Sequence, residues 1–355
     1  MIKARAMLGA VREYRFLGSE LWVDCGDPHM RVTFLKPELV RVRIVPGGDF
    51  EEEHSWDVPL ADEAFHAVEV NLQQTQHALF LNSAAFTVRI DKDTALLEML
   101  TTDGKSFFTD ASSPVWEEDR YWFTKRIENG EKYYGFGERG GRMEKQGQTM
   151  KNWATDPSEP HTAFVDPMYM AIPVYLVMSQ NFAYGVYVNS TWESTFDLSK
   201  SGQLRFESLG DELDVYIAYG PQPLDVLEHL SELLGRMPMP PKWALGYHQS
   251  RWSYGNEQEV RKLVSTFREK EIPCDVIHLD IDYMDNYKDF TWDDERFPTP
   301  QRMLEDLKRK NFRVVTIIDP GVKVDPNYAV YREGVERAYF VRDARGEICS
   351  GYVWP

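Results

Sequence analysis

From residue 1 to about 220, short β-rich runs separated by turn residues show apolar–polar alternation in places. The runs are ELWVDCG (20–26), HMRVTFLKPELVRVRIV (29–45), AFHAVEVNL (64–72) and HALFLNSAAFTVRID (77–91), and later YMAIPVYLVMS (169–179), AYGVYVNSTWES (183–194) and LDVYIAYG (213–220). Alternation such as Val40-Arg41-Val42-Arg43-Ile44 marks strands that set one face on a core. Pairs such as Asp27-Pro28 and Pro46-Gly47 break the runs as turns do. The pattern predicts an all-β sandwich of substantial size.

The period changes near residue 221. PLDVLEHLSELLG (223–235) fits one amphipathic helix with Leu224, Leu227, Leu230 and Leu234 on roughly one side. RMPMPPKWALGY (236–247) is stiffened by Pro238, Pro240 and Pro241 and reads as a hinge or domain entrance. Then come WALGYHQ as a strand and NEQEVRKLVSTFREKEI as a helix with the stripe Val260, Leu263, Val264 and Phe267. CDVIHLD is a second strand, PQRMLEDLKRKN a second helix and FRVVTIID a third strand. Strands that are apolar throughout, alternating with helices, predict a parallel sheet covered by helices. The expected division is 1–235 for the sandwich with its connecting helix, and 236–355 for the α/β part. The latter is much shorter than the ~250 residues of an eight-fold barrel. It is either a small open sheet or the first part of a barrel.

Composition narrows the partners. The net charge of −17 and the absence of a Lys/Arg block argue against nucleic acid and anionic membrane surfaces. Ten Trp and eighteen Tyr suit a sugar site and an ordinary β core equally. Cys25, Cys274 and Cys349 are too scattered for a disulfide framework or a metal site. No run is long enough to span a bilayer, and the N-terminal MIKARAMLGAVREYRF lacks a secretory apolar segment. A cytosolic setting is expected.

The chemistry concentrates in HLDIDYMDNYKDFTWDDERF (278–297). Carboxylates avoid burial unless paired. Asp280, directly after Val276-Ile277-His278-Leu279, therefore marks where a core strand opens into a polar cleft. Asp319 ends the next strand in the same way. Parallel α/β folds place their chemistry at strand C-terminal ends, so both carboxylates can reach one ligand. Asp282, Asp285, Asp289, Asp293 and Asp294 read as loop-solvating, turn and helix-capping residues. YYGFGER (133–139) lacks the helix and spacing of a phosphate loop. No cofactor loop and no calcium-type loop spacing occurs, so neither cofactor nor metal is expected.

With YYGFGER, NWATDP (152–157), PPKWALGYHQSRWSY (240–254), DVIHLDIDYMDNYKDFTWDDERFP (275–298), FRVVTIIDPGVK (312–323) and GYVWP (351–355) in this order, the sequence resembles the N-terminal portion of glycoside hydrolase family 31, the α-glucosidase family. The resemblance implies an N-terminal β-sandwich followed by the first strands and helices of a (β/α)₈ TIM barrel. It implies a subsite for a non-reducing-end sugar formed by Trp252, Asp280, Ile281, Ile317, Asp319 and Trp354. Asp156 is implied to join them from a sandwich loop. Carboxylates bond hydroxyls strongly and indoles offer flat apolar faces, so these residue types suit a glucosyl unit.

The implied activity is a retaining, exo-acting α-glucosidase. DIDYM favours α-glucosides over α-xylosides, and an acceptor sugar could replace water. α-Galactosidases, sulfoquinovosidases and transglucosidases are related alternatives, and a non-catalytic carbohydrate-binding module is the reading from another class. The family's nucleophile motif does not occur in residues 1–355, so no catalytic residue is assigned. The chain alone is expected to be inactive, with a small oligosaccharide or α-glucoside as substrate and a C-terminal remainder of the same polypeptide as partner. Homo-oligomerisation is left open.

Overall fold

The computed structural model describes residues 5–50, 55–65, 68–158, 160–210 and 212–352. The chain divides into two compact units, Met1–Arg236 and Met237–Pro355.

Among the described residues, the first unit holds three antiparallel sheets of six, five and eight strands. Leu21 and Val32 from the eight-stranded sheet, Leu79 and Val88 from the five-stranded sheet, and Phe123 and Phe206 from the six-stranded sheet belong to one buried core. The strand Phe86–Asp91 alternates buried and half-buried positions, as its sequence predicts. Two other strands do not. Leu39–Val45 and Ala183–Val188 are buried at every position. Arg41 and Arg43, whose alternation suggests a solvated face, are 5% and 3% exposed. Arg41 makes a bidentate contact with Asp214, at 2.9 and 2.8 Å, and Arg43 pairs with Glu212. A buried guanidinium is tolerated because its fork is matched by a carboxylate.

Arg41 also binds Asp62 at 2.9 Å. Asp62 begins a 3₁₀ turn, Asp62–Ala64. Of the strand expected over AFHAVEVNL, the described residues join a sheet at Asn71–Gln74. His66 and Ala67 lie outside the described residues.

Helix α1 (Pro223–Leu234) starts with a reciprocal cap between Gln222 and Asp225. Its buried stripe is Val226, Leu230 and Leu233. Leu224 and Leu227, expected on the inner side, are 76% and 50% exposed. The helix is rotated because its seat is Gly185. A Cβ there would lie 2.7 Å from side-chain atoms of both Val226 and Leu230, so the missing side chain selects the face that approaches.

Among the described residues, the second unit holds three short parallel strands in the order His248–Gln249, Val276–Leu279, Arg313–Thr316. Helix α2 (Glu257–Glu269) connects the first two, and α3 (Pro300–Arg309) the last two. A third helix, α4 (Ala329–Glu336), follows. Asn256 caps α2 by accepting from the Glu259 amide at 2.9 Å. Val260 and Val264 of α2 and Met303 and Leu307 of α3 share a core with Ile277 and Leu279. Successive strand residues face opposite sides, so Val276, His278 and Asp280 lie on the side away from these helices. This is the repeating unit of a β/α barrel. The first strand is shorter than expected. Lys242–Leu245 is a 3₁₀ turn, entered through Pro240-Pro241, which have no amide hydrogens to give to a sheet.

Candidate functional site

The candidate residues of the second unit follow the C-terminal ends of the three strands in turn. Trp252 lies just beyond His248–Gln249 and is 83% exposed. Asp280 and Ile281 follow Val276–Leu279, and Ile317 and Asp319 follow Arg313–Thr316. Asp280, Ile281 and Asp319 are half-buried and Ile317 is exposed. Trp354 lies outside the described residues. Asp156 belongs to the first unit, on an exposed loop beside Tyr169. The Tyr169 hydroxyl lies 2.9 Å from Nε2 of His161.

Backbone bonding fixes the strand ends. The Asp280 carboxylate accepts from the Ile281 amide at 2.8 Å and opens the 3₁₀ turn Ile281–Tyr283. The Ile317 amide donates to the Leu279 carbonyl at 2.9 Å. Tyr283, 4% exposed, donates its hydroxyl to the Ile317 carbonyl at 2.9 Å. The Asp280 turn and the Ile317–Asp319 segment are thereby bonded to each other. Tyr283 was not singled out by the sequence, in which it reads as one more loop aromatic.

The remaining carboxylates of the acidic stretch divide. Asp293 accepts from the amides of Glu295 and Arg296 at 3.0 and 2.9 Å, and Asp282 accepts from the Tyr287 hydroxyl at 3.1 Å. Lys288 joins Asp285 at 3.4 Å and Asp325 at 3.3 Å. Asp294 is exposed. These match the turn and solvation roles expected. Asp289 does not, because it is only 3% exposed. Burial first, and the nearby Asp319 carboxylate second, raise its pKa above the ordinary carboxylate value.

Beneath Asp280, two histidines on adjacent strands meet. Nδ1 of His248 lies 3.0 Å from Nε2 of His278, and Nε2 of His248 lies 3.1 Å from the Ala244 carbonyl oxygen. A carbonyl only accepts, so Nε2 of His248 carries a proton and, in the neutral ring, Nδ1 accepts from His278. Burial first, and His248 second, lower the pKa of His278. In the sequence, His278 is merely a polar interruption of an apolar strand.

Among the described residues, no group of three or more His, Cys, Asp or Glu side chains is placed to hold a metal ion. No described helix is long and apolar enough to cross a membrane.

These features define a β-sandwich protein continuing into a (β/α) barrel, with its candidate site at the strand C-terminal ends. Residues 237–355 match the glycosyl hydrolases family 31 TIM-barrel domain. Residues 29–197 match the glycosyl hydrolase 31 N-terminal galactose mutarotase-like domain. The chain belongs to glycosyl hydrolase family 31. Alpha-glucosidase 2 of Bacillus thermoamyloliquefaciens is 38% identical over 335 residues, which are 93% of this chain and 42% of that protein. Human neutral alpha-glucosidase C is 43% identical over 143 residues, covering 40% of this chain and 16% of its own length. The Flavobacterium johnsoniae family 31 dextranase complexed with glucose superposes with a TM-score of 0.90 at 25% identity, covering 99% of this chain and 43% of that one. The chain thus spans less than half the length of these relatives.

Proposed function

We propose that the complete polypeptide is a retaining, exo-acting α-glucosidase, and that this chain supplies part of its sugar subsite. The observation that carries the reading is the row of side chains at three consecutive parallel strand ends, Trp252, then Asp280, then Asp319. Two carboxylates and an indole match the hydroxyls and flat face of a terminal glucosyl unit. Support comes from the 38% identity to an alpha-glucosidase over nearly the whole chain, and from the fold shared with a dextranase whose structure contains glucose.

In this reading Asp280 and Asp319 bind sugar hydroxyls and Trp252 borders the sugar face. They orient the substrate and do not attack it. Retaining hydrolysis needs a nucleophile and an acid/base carboxyl about 5–5.5 Å apart, acting through a covalent glycosyl-enzyme. Both are assigned to the remainder of the polypeptide. The test is hydrolysis of p-nitrophenyl α-glucoside by the complete protein, with the anomer of the released glucose followed by NMR. Initial release of α-glucose supports the proposal. Initial release of β-glucose, or no turnover of any α-glucoside, refutes it.

A further inference from the structure

Arg139 sits in the turn after the strand Lys132–Gly135, and its side chain is only 5% exposed. Its guanidinium ties three separate stretches of chain together. Nε donates to the Phe136 carbonyl at 2.8 Å, Nη1 to the Asp166 carboxylate at 2.6 Å and Nη2 to the Asn152 side-chain oxygen at 2.5 Å. The other Asp166 oxygen accepts from the Lys151 amide at 2.7 Å. Asn152 ends the strand Thr149–Asn152 and is 3% exposed. The clip therefore fixes the chain where it leaves that strand and again where it returns at Asp166. Two glycines seat the turn on the returning limb. A Cβ on Gly140 would lie 2.8 Å from the Thr162 carbonyl oxygen, and one on Gly137 would lie 2.8 Å from that of Met170. The Glu138 amide donates to the same Met170 carbonyl at 3.2 Å. Between the limbs, the Thr155 amide donates to the Met168 carbonyl at 3.1 Å. Asp156 is the next residue and belongs to no strand or helix. Its nearest anchors in the chain are the Thr155 bond and the clip at Asn152.

We propose that Arg139 is a positioning residue for Asp156, its three-way clip holding both limbs of the loop so that the Asp156 carboxylate is presented to the sugar in one place. The inference rests on the reading of Asp156 as a sugar-binding residue. A carboxylate on irregular backbone loses conformational freedom when it binds, and a backbone fixed beforehand removes much of that loss. Arginine suits the task because its planar fork is always charged and offers five donors at fixed angles, enough for three acceptors on different segments. Lysine keeps the charge and a long stem but presents a point charge without the fork. It can hold Asp166 but cannot fix Phe136 and Asn152 in the same geometry.

The test is a double-mutant cycle on the complete polypeptide. It reads the dissociation constant of D-glucose by isothermal titration calorimetry, well below the melting temperature. A clip that served the fold alone would lower Tm and leave this constant unchanged in the folded protein. Arg139→Lys is expected to weaken glucose binding about fivefold or more, and Asp156→Ala about tenfold or more. Adding Arg139→Lys to Asp156→Ala should cause no more than about a twofold further loss, because the group being positioned is already gone. Asp166→Asn removes one carboxylate acceptor of the clip at an exposed position. It should repeat the pattern, and it carries the cycle by itself if Arg139→Lys does not fold. Wild-type glucose affinity in Arg139→Lys, with Tm lowered, overturns the inference. An equal loss with and without the Asp156 side chain also overturns it, because the clip then acts through something other than Asp156. Asp156→Ala separates the two readings. If it leaves glucose affinity unchanged, the reading of Asp156 as a sugar-binding residue fails. If it weakens binding while Arg139→Lys and Asp166→Asn do not, only the positioning role fails.

Discussion

The Tyr283 hydroxyl donates a 2.9 Å hydrogen bond to the carbonyl oxygen of Ile317. The turn that presents Asp280 is thereby tied to the segment that leads to Asp319. Tyr283→Phe removes only this bond, and the Ile317 carbonyl can turn to water because Ile317 is 40% exposed. The expected loss is about 1 kcal/mol of stability, measured by urea unfolding. Glucose affinity should weaken as well. Unchanged values of both would mean that the bond does not position the site.

Asp280→Ala in the complete polypeptide should lower the melting temperature only modestly, through loss of the acceptor for the Ile281 amide, and lower kcat/KM severely. The carboxylate stands at a strand end, half-buried, where charge-assisted bonds to hydroxyls are strong. Losing about 2–3 kcal/mol of such bonding corresponds to roughly 30- to 150-fold. Steady-state kinetics beside a thermal melt make the check. Near-normal kcat/KM in a folded variant would remove Asp280 from the subsite.

His278, packed against His248, should make the fold sensitive to acid. The pKa of His278 is lowered from the reference of 6.5, by burial first and His248 second. The unfolded chain then binds the proton more readily than the folded one. Stability is highest above the unfolded value and declines as pH falls through about 6.5 toward the lower folded value. His278→Gln should flatten this part of a stability–pH curve obtained from urea melts. A curve with the same slope in the variant would place the acid sensitivity elsewhere.

Gly185→Ala tests the seat of α1. The added methyl would lie 2.7 Å from side-chain atoms of Val226 and Leu230, which are already packed. Overpacking of this kind costs about 1–3 kcal/mol. A clear drop in Tm is expected, and a double variant with Leu230→Ala should recover part of it. No drop would show that α1 can move away without penalty.

Much of the architecture was legible from local pattern. Period-two runs marked most strands of the sandwich, and the switch to strand–helix–strand order marked the parallel sheet. Asp280 could be placed directly after its strand from the apolar run before it, whereas the strand expected to run through FRVVTIID to Asp319 ends at Thr316, with Ile317 and Ile318 exposed beyond it. The stripe Val260, Leu263, Val264, Phe267 also faces the core in the structure, with Val260 and Val264 fully buried.

Other features were decided only by tertiary contacts, because periodicity reports which face is apolar and not what will cover it. The stripe of α1 was set by a glycine 41 residues before Val226 in the sequence, on a strand it packs against. Arg41 looked like a solvent-facing residue until Asp214, 173 residues away, supplied a matching carboxylate inside the protein. His278 and Asp289 carry no local signal of their roles. A histidine within an apolar strand is defined by the residue on the adjacent strand, and an aspartate in an acidic loop by whether water reaches it. The sequence determined where chain segments become strands, helices and polar strand ends. The folded structure determined which polar groups are dry, which are paired and which face one another, because desolvation and pairing depend on distances that chain separation does not encode.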